Sequence, residues 1–404
     1  MRIGIIGGGP GGSLCAALLG QAGAEVLLFD YRGVWEKPCG GGVTYKALLR
    51  YPFLEECLEP KRRIQQIRVT SPHDAQVTVP LQDPLLVYSR GVLNRILLER
   101  AVAHRACFRE ERVLNFERQA SHWHILTQRN RYKVDFLIGA DGVNSFVRKK
   151  MSRRLSADDL MMTFGYRVCG RGQDTIEVKF FPDLLGYLWV FARPDNISFG
   201  ICAKLSQNPT QVLKDYLHQF LRQNYPAIRI DGHSSADLEG SECSSVKAPR
   251  RVLPCETYSA LIPSLRSRTL HQNVVSGEGW ALLGDAAGFA DPITCEGIYY
   301  ALRSGELLAE ALCQSRPGSY RQACEADFVG DFVHAADLFE KFYRGRLLGS
   351  DFITRSVQTA SRSKIVQALM NSFVAGRQDY RSLKSKLVWH LPGICLQVMR
   401  SAFV

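Results

Sequence analysis

The chain has 404 residues, 46% of them hydrophobic and 22% charged, a balance that excludes a disordered protein and allows a sizeable core. That length exceeds one small core and suits two sequential or interleaved domains. The net charge of +12 is uneven: from Arg344 onward ten Lys/Arg face two Asp, a pattern that either attracts anionic surfaces or forms a solvated helical face.

The first apolar run, Ile3–Ile6, leads straight into glycines and lacks the basic start and long apolar stretch of a secretory signal. No uninterrupted apolar run reaches the ~18 residues of a membrane span. Twelve cysteines are scattered without a CxxC pair or zinc spacing. They read as the reduced thiols of a cytoplasmic protein, and no metal site is expected.

In chain order, residues 2–30 predict a βαβ unit: a strand Arg2–Ile6, a glycine turn, a helix Ser13–Gln21 and a strand Glu25–Phe29 ending at Asp30. Arg32–Val43, rich in Gly and Pro, predicts a loop. Gly91–His104 predicts a helix, and Val113–Phe116, His122–Thr127 and Arg131–Ile138 predict strands. The stretch from Met161 is β-rich: Phe164–Val168, Thr175–Phe181, Tyr187–Phe191 and Ile197–Cys202. Pro209–Tyr225 and Gly297–Gln314 predict helices, Ala281–Leu283 predicts a short strand, and the chain beyond Tyr320 reads as helical.

Within the first unit, Gly7, Gly9 and Gly12 fit G-x-G-x-x-G, with Pro10 and Gly11 between them. Gly7 turns the chain out of the strand, Gly9 admits a pyrophosphate to the backbone, and Gly12 lets helix and sheet pack closely. The helix N-terminus offers free N–H groups to the phosphates. Asp30, 23 residues after Gly7, stands where a ribose-hydroxyl acceptor is expected. A carboxylate there repels a 2′-phosphate, so NADP is disfavoured and FAD or NAD remains.

Two later turns favour FAD. Leu137 to Ser145 is an apolar strand ending in Asp141-Gly142, and Leu282 to Gly288 is another ending in Gly284-Asp285. Each puts a carboxylate at the sheet's carboxyl edge, where it can accept hydrogen bonds from the polyol chain that FAD has and NAD lacks. Pro292 then precedes Gly297, which opens a helix whose N-terminus suits the negative charge of a reduced flavin ring.

The loop Lys37-Pro38-Cys39-Gly40-Gly41-Gly42-Val43, the strand Gly186-Tyr187-Leu188-Trp189-Val190-Phe191, and Asp285 to Thr294 with Glu296-Gly297-Ile298 and Ser304-Gly305 resemble the geranylgeranyl reductase family of FAD-dependent oxidoreductases, in the flavoprotein hydroxylase-like superfamily. The resemblance implies an α/β fold with a discontinuous Rossmann-type FAD-binding domain, an inserted β-rich substrate domain and a C-terminal helical region. The expected division gives 1–70, 91–160 and 276–315 to the FAD-binding domain, 71–90 to a β-rich excursion, 161–275 to the substrate domain and 316–404 to the helical region. It also implies cofactor contacts from Arg32, Lys37 to Gly41, Arg90, Val113, Asp141, Asp285, Pro292, Gly297 and Ile298. Cys39, Tyr187 and Trp189 are the implied catalytic residues. The sequence departs from the family at Ala192-Arg193, where Pro-Lys is usual, and at Cys295, where Gly is usual.

Tyr187, Trp189 and Phe191 alternate on one strand, so they share a face, either as a substrate wall or as ordinary sheet core. The reaction the resemblance implies is reduction of alkene bonds in an isoprenoid or other apolar substrate, by hydride transfer from reduced flavin. The alternatives are a monooxygenase of hydroxylase or halogenase type acting on an aromatic or peptide-borne substrate, and a non-catalytic flavin-binding protein. The halogenase Trp-x-Trp-x-Ile-Pro motif is absent. No second G-x-G-x-x-G follows, so an external reductant is expected, NAD(P)H or a ferredoxin-like donor. Arg381, Lys384 and Lys386 precede Leu387-Val388-Trp389, then Leu391, Ile394, Leu396, Val398, Met399 and Phe403. This suits either a peripheral membrane contact or a helix docked on the domain. The basic tail contains no recognised nucleic-acid module, so nucleic acid is not an expected partner.

Overall fold

The computed structural model describes residues 1–226, 228, 255–347, 349–377 and 379–400. Phe403 and the part of the expected substrate domain at 229–254 lie outside the described residues. The fold is mixed α/β, with a Rossmann-like sheet, a second large sheet and a helical C-terminal region.

The Rossmann-like sheet has six strands in the order Ser276–Gly277, Trp280–Leu282, Phe136–Gly139, Arg2–Ile6, Glu25–Phe29, Cys107–Arg109. All neighbours run parallel except the first pair. Its central strands are continuous apolar runs because both faces are covered, by helices such as Pro10–Gln21 and by Ile125 and Val134, which a Cβ on Gly4 would meet at 2.6 and 3.2 Å. Pro10 stands in the first turn of the helix Pro10–Gln21, where its missing N–H costs nothing. That helix packs so closely on Ile298–Cys313 that a Cβ on Gly305 would lie 2.5 Å from the Gly11 carbonyl oxygen.

The second sheet has eight strands, ordered Cys255–Pro263, Leu160–Cys169, Asn196–Lys204, Gly186–Ala192, Thr175–Lys179, Arg62–Thr70, Gln76–Val87, Gly42–Val43. One core lies between this sheet and the C-terminal helices, and another between its opposite face and the helix Thr210–Asn224. Strand Gly186–Ala192 serves both. Leu188 and Val190 enter the second core, whereas Trp189 enters the first with Tyr187 and Phe191 packed against it. The three aromatics therefore share a face, as their spacing predicts.

The β-rich excursion begins at Arg62 rather than at residue 71, because Arg62–Thr70 already pairs within the large sheet. The single strand expected over Arg131–Ile138 is two. Arg131–Val134 belongs to a three-stranded sheet with Val113–Gln119 and His122–Thr127, while Phe136–Gly139 joins the parallel sheet. Asp135 separates them, its carboxylate accepting from the Arg2 N–H at 2.7 Å and meeting His122 Nδ1 at 2.9 Å. The C-terminal region is helical apart from a hairpin, Arg346–Leu347 with Ser350–Asp351.

Candidate functional site

Four parallel strands end at one edge of the Rossmann-like sheet, and the turns that follow bring Gly7–Gly12, Asp30, Asp141 and Gly284-Asp285 to that edge. The glycines divide their work as the motif predicts. A Cβ on Gly12 would lie 2.0 Å from the Gly7 carbonyl oxygen, so only glycine fits between turn and sheet. A Cβ on Gly9 would meet nothing within 4 Å, which leaves the backbone open to a ligand. No side chain caps the helix that begins at Pro10, so its N–H donors remain available to an anion.

Asp30 accepts from the Gly8 N–H at 2.8 Å and the Arg32 N–H at 2.9 Å, which fixes its carboxylate beside the glycine turn. Arg32 itself lies exposed, stacked 4.2 Å from the Trp35 ring centroid. Val113 starts the edge strand of the three-stranded sheet. The Asp141 carboxylate is bonded within the fold. One oxygen accepts the Phe146 N–H at 2.6 Å and the Val147 N–H at 3.2 Å, and the other accepts from Ser145 Oγ. These bonds tie Asp141 to the start of the helix Phe146–Met151, which Ser145 caps.

Lys37 and Asp285, 248 residues apart, form a salt bridge of 2.6 Å that ties the cysteine–glycine loop to the Gly-Asp turn. Gly297 approaches the same carboxylate and precedes the helix Ile298–Cys313, as expected. Ile298 is buried, and the Pro292 carbonyl accepts from Ser264 Oγ at 2.9 Å. Cys295 has φ +60°, the left-handed region that favours glycine, which is a physical reason for glycine at this position in the family it resembles.

The loop itself is locked from three sides. Arg193, fully buried, donates to Glu36 Oε1 at 2.6 Å, to the Gly40 carbonyl at 3.2 Å and to the Cys39 carbonyl. The Phe191 ring packs so closely that Cβ atoms on Gly40 and Gly42 would lie 3.2 and 2.8 Å from it. Gly41 has φ +88°, and its carbonyl accepts the Tyr88 N–H at 3.0 Å. Glu36 also accepts the Arg90 and Gly91 N–H groups at 3.0 and 2.6 Å, joining the loop to the start of the helix Arg90–Ala103.

Burial pushes the Cys39 thiol up, but the Arg90 guanidinium, the Gly41 N–H and Arg193 outweigh it and hold the thiol below its usual range. Arg90 therefore lies beside the cysteine. Its buried Nε has no hydrogen-bond partner among the described residues. The aromatic strand spans the site's two loops. Tyr187 donates its hydroxyl to the Thr294 carbonyl, Trp189 lies 5.9 Å from the Tyr187 ring, and Phe191 meets the glycine loop. Trp189 Nε1 is also buried and unpartnered among the described residues. An open phosphate turn with uncapped donors, a fixed carboxylate and two unsatisfied buried donors suit a flavin dinucleotide, so the residues present fit that cofactor.

Sequence reasoning missed several neighbours. Arg193 stood out only as a departure from a motif. Glu36, Asp291 and Glu296 sit in or beside the motifs yet drew no role. Asp291 accepts from the Ile293 and Thr294 N–H groups and from Tyr380 Oη at 2.9 Å, which anchors the C-terminal helix Tyr380–Arg400 to the site. Glu296 accepts from Thr44 Oγ1 at 2.8 Å, and burial raises its carboxyl to about 7. Lys204, held by the Ser264 carbonyl at 2.6 Å, is pushed down to about 8 by burial. An acidic residue directly before a helix-opening glycine was the one available signal, for Glu296.

Comparison with known proteins agrees with this geometry. The family described as NAD(P)-binding Rossmann-like domain matches residues 5–42. A geranylgeranyl diphosphate reductase of Rhodobacter capsulatus is 26% identical over 96% of this chain and 97% of its own length. The structure of a geranylgeranyl bacteriochlorophyll reductase-like protein from Thermoplasma acidophilum superposes with a TM-score of 0.73 at 19% identity, covering 96% of this chain and 98% of that one. A flavin-dependent brominase superposes with a TM-score of 0.66 at 17% identity, covering 93% and 94%. In sequence and in fold this chain is similar to the geranylgeranyl reductases, as its motifs predict.

Proposed function

We propose that this chain is an FAD-dependent oxidoreductase that reduces alkene bonds of an isoprenoid or similarly apolar substrate. The observation that carries the reading is the junction of three distant segments at one sheet edge: the open turn at Gly9, the Lys37–Gly42 loop and Asp285, joined through the Lys37–Asp285 pair. Bound there, FAD supplies the hydride chemistry. The N–H donors of Gly11 and Gly12, at the start of the helix Pro10–Gln21, would hold its phosphates, Asp30 its ribose, and Asp285 with Gly297 the region toward the ring.

The chain's own contributions are orientation, dryness and a proton. Tyr187, Trp189 and Phe191 form an apolar wall suited to a prenyl chain. Cys39 Sγ, whose thiol Arg90 and Arg193 hold below its usual range, is the atom that holds and gives up the proton. The Rhodobacter capsulatus relative, by its name, reduces geranylgeranyl diphosphate, and a substrate of that class fits the wall described here. NAD(P)H or a ferredoxin-like donor outside the chain is the source of electrons. A peripheral membrane contact through the basic C-terminal region belongs to the same reading, because prenyl lipids reside in bilayers.

The test is anaerobic. Purified protein reconstituted with FAD and reduced by dithionite is mixed with geranylgeranyl diphosphate, and products are weighed by mass spectrometry. Gain of one H2 per reduced alkene is expected. Protein that takes up no FAD overturns the cofactor assignment. No alkene reduction there, with hydroxylation once oxygen is admitted, overturns the reductase in favour of a monooxygenase.

A further inference from the structure

The C-terminal helix Tyr380–Arg400 has two apolar faces. One is docked: Tyr380 and Ile394 are buried, and Leu383 and Leu387 are half-buried between them. The docking is specific. Gln397 Oε1 accepts from Ser363 Oγ at 2.7 Å, and a Cβ on Gly393 would lie 2.9 Å from Ile365 Cδ1.

The other face points into solvent. Val388, Leu391, Pro392, Cys395 and Leu396 recur at spacings of three and four, with Trp389 beside them, and all are exposed. Trp389 is 82% and Val388 63% exposed. Such spacing makes an apolar stripe that normally faces a core. Isolated exposed apolar residues are ordinary, but here four large ones fall within nine residues of one helix.

Charge says what lies on the open side. Residues 352–404 hold eight Lys/Arg and a single acidic residue, Asp379. Arg381 is exposed near one end of the stripe. Arg362 and Lys364, also exposed, lie near the other end, because Ser363 is bonded to Gln397. A second copy of the chain brings the same positive field and is repelled. Among the described residues no helix is long and apolar enough to cross a membrane, so this one does not span.

We propose that the Val388–Leu396 face inserts into the interfacial region of an anionic lipid bilayer, lying in its plane, with Trp389 at the headgroup level and the flanking basic residues on acidic headgroups. Tryptophan is the aromatic residue best suited to that boundary, with an apolar ring and one N–H donor. Basic residues near an anionic surface strengthen the attachment, and salt weakens their contribution. The inference rests on the membrane contact proposed above, but its test is separate from the reaction, since it uses no residue of the cofactor or substrate site.

The experiment is co-sedimentation of the full chain with vesicles of phosphatidylcholine plus phosphatidylglycerol, against phosphatidylcholine alone. Partition at least tenfold stronger to the anionic vesicles is expected, with a blue shift of tryptophan emission and loss of binding in high salt. The double variant Val388→Ser, Trp389→Ser is expected to lose at least tenfold in partition while FAD uptake and circular dichroism stay unchanged. Equal partition of wild type and variant overturns the proposal. So does failure to bind either vesicle, or a dimer in sedimentation velocity that the double variant dissolves, since the face would then cover a second copy. If the double variant does not fold, Trp389→Tyr alone is measured, with retained binding expected and binding independent of lipid charge the overturning result.

Discussion

Glu296 holds a proton where an ordinary carboxylate would not. Burial raises it to about 7, the charge of Asp291 adds to that, and the Thr44 hydroxyl and Lys46 oppose it. In the unfolded chain the same carboxyl titrates near 4.3. Between those values the folded protein binds more protons than the unfolded one, so stability falls as pH rises through the window and levels off above about pH 8. The loss contributed by this one group is on the order of 3 kcal/mol. Urea midpoints of flavin-free protein at several pH values check it. Wild type is expected to weaken from pH 5 to 8, whereas Glu296→Gln, which keeps an acceptor for Thr44, stays flatter and is the more stable form at pH 8. Parallel curves for the two proteins would remove Glu296 as the source.

The loop from Lys37 to Val43 shows what a local pattern reveals and what it hides. Its glycines marked it as a loop in the sequence, and the left-handed φ of Gly41 is one reason a glycine stands there. Strand alternation likewise put Tyr187, Trp189 and Phe191 on one face without any tertiary knowledge. Arg193 was not legible as a brace, because Glu36 lies 157 residues away and a lone Arg after an aromatic strand resembles any surface cation. At Asp141 the Gly-Ala-Asp-Gly turn suits a ligand carboxylate and a helix terminus alike, and the bond from the Phe146 N–H at 2.6 Å to its carboxylate was not legible from the turn. The brace has a measurable consequence. Arg193→Ala leaves two loop carbonyls short of a donor, at a cost of about 2–4 kcal/mol. FAD affinity is expected to fall at least tenfold, equivalent to about 1.4 kcal/mol. Arg193→Lys, which can keep the contact to Glu36 but not all three, is expected to fall between. Flavin titration followed by fluorescence quenching reads both. Unchanged affinity in the alanine variant would mean that the loop's shape is set by Phe191 and Tyr88 alone.

Across the whole molecule, the Rossmann-like sheet closes late in the chain. Trp280–Leu282 pairs beside Phe136–Gly139, so five of the large sheet's eight strands are threaded between two neighbouring strands. Such long-range pairing makes the cofactor edge dependent on segments that share few local contacts. A ligand that touches several of them stabilises the assembly by mass action, by about 2.7 kcal/mol at a hundred times its Kd. Saturating FAD is therefore expected to raise the Tm by several degrees. Asp285→Ala separates ligand from scaffold. The Lys37–Asp285 pair is only partly buried, so its loss lowers the flavin-free Tm little. The FAD-induced rise, however, is expected to shrink by half or more, although Asp285 lies 278 residues from the phosphate turn at Gly7 (the difference of the two residue numbers). Differential scanning fluorimetry of both proteins, with and without FAD, gives the four values required. An undiminished rise in the variant would confine the cofactor to the N-terminal glycine turn, and a discontinuous site would no longer explain why three remote turns share one edge.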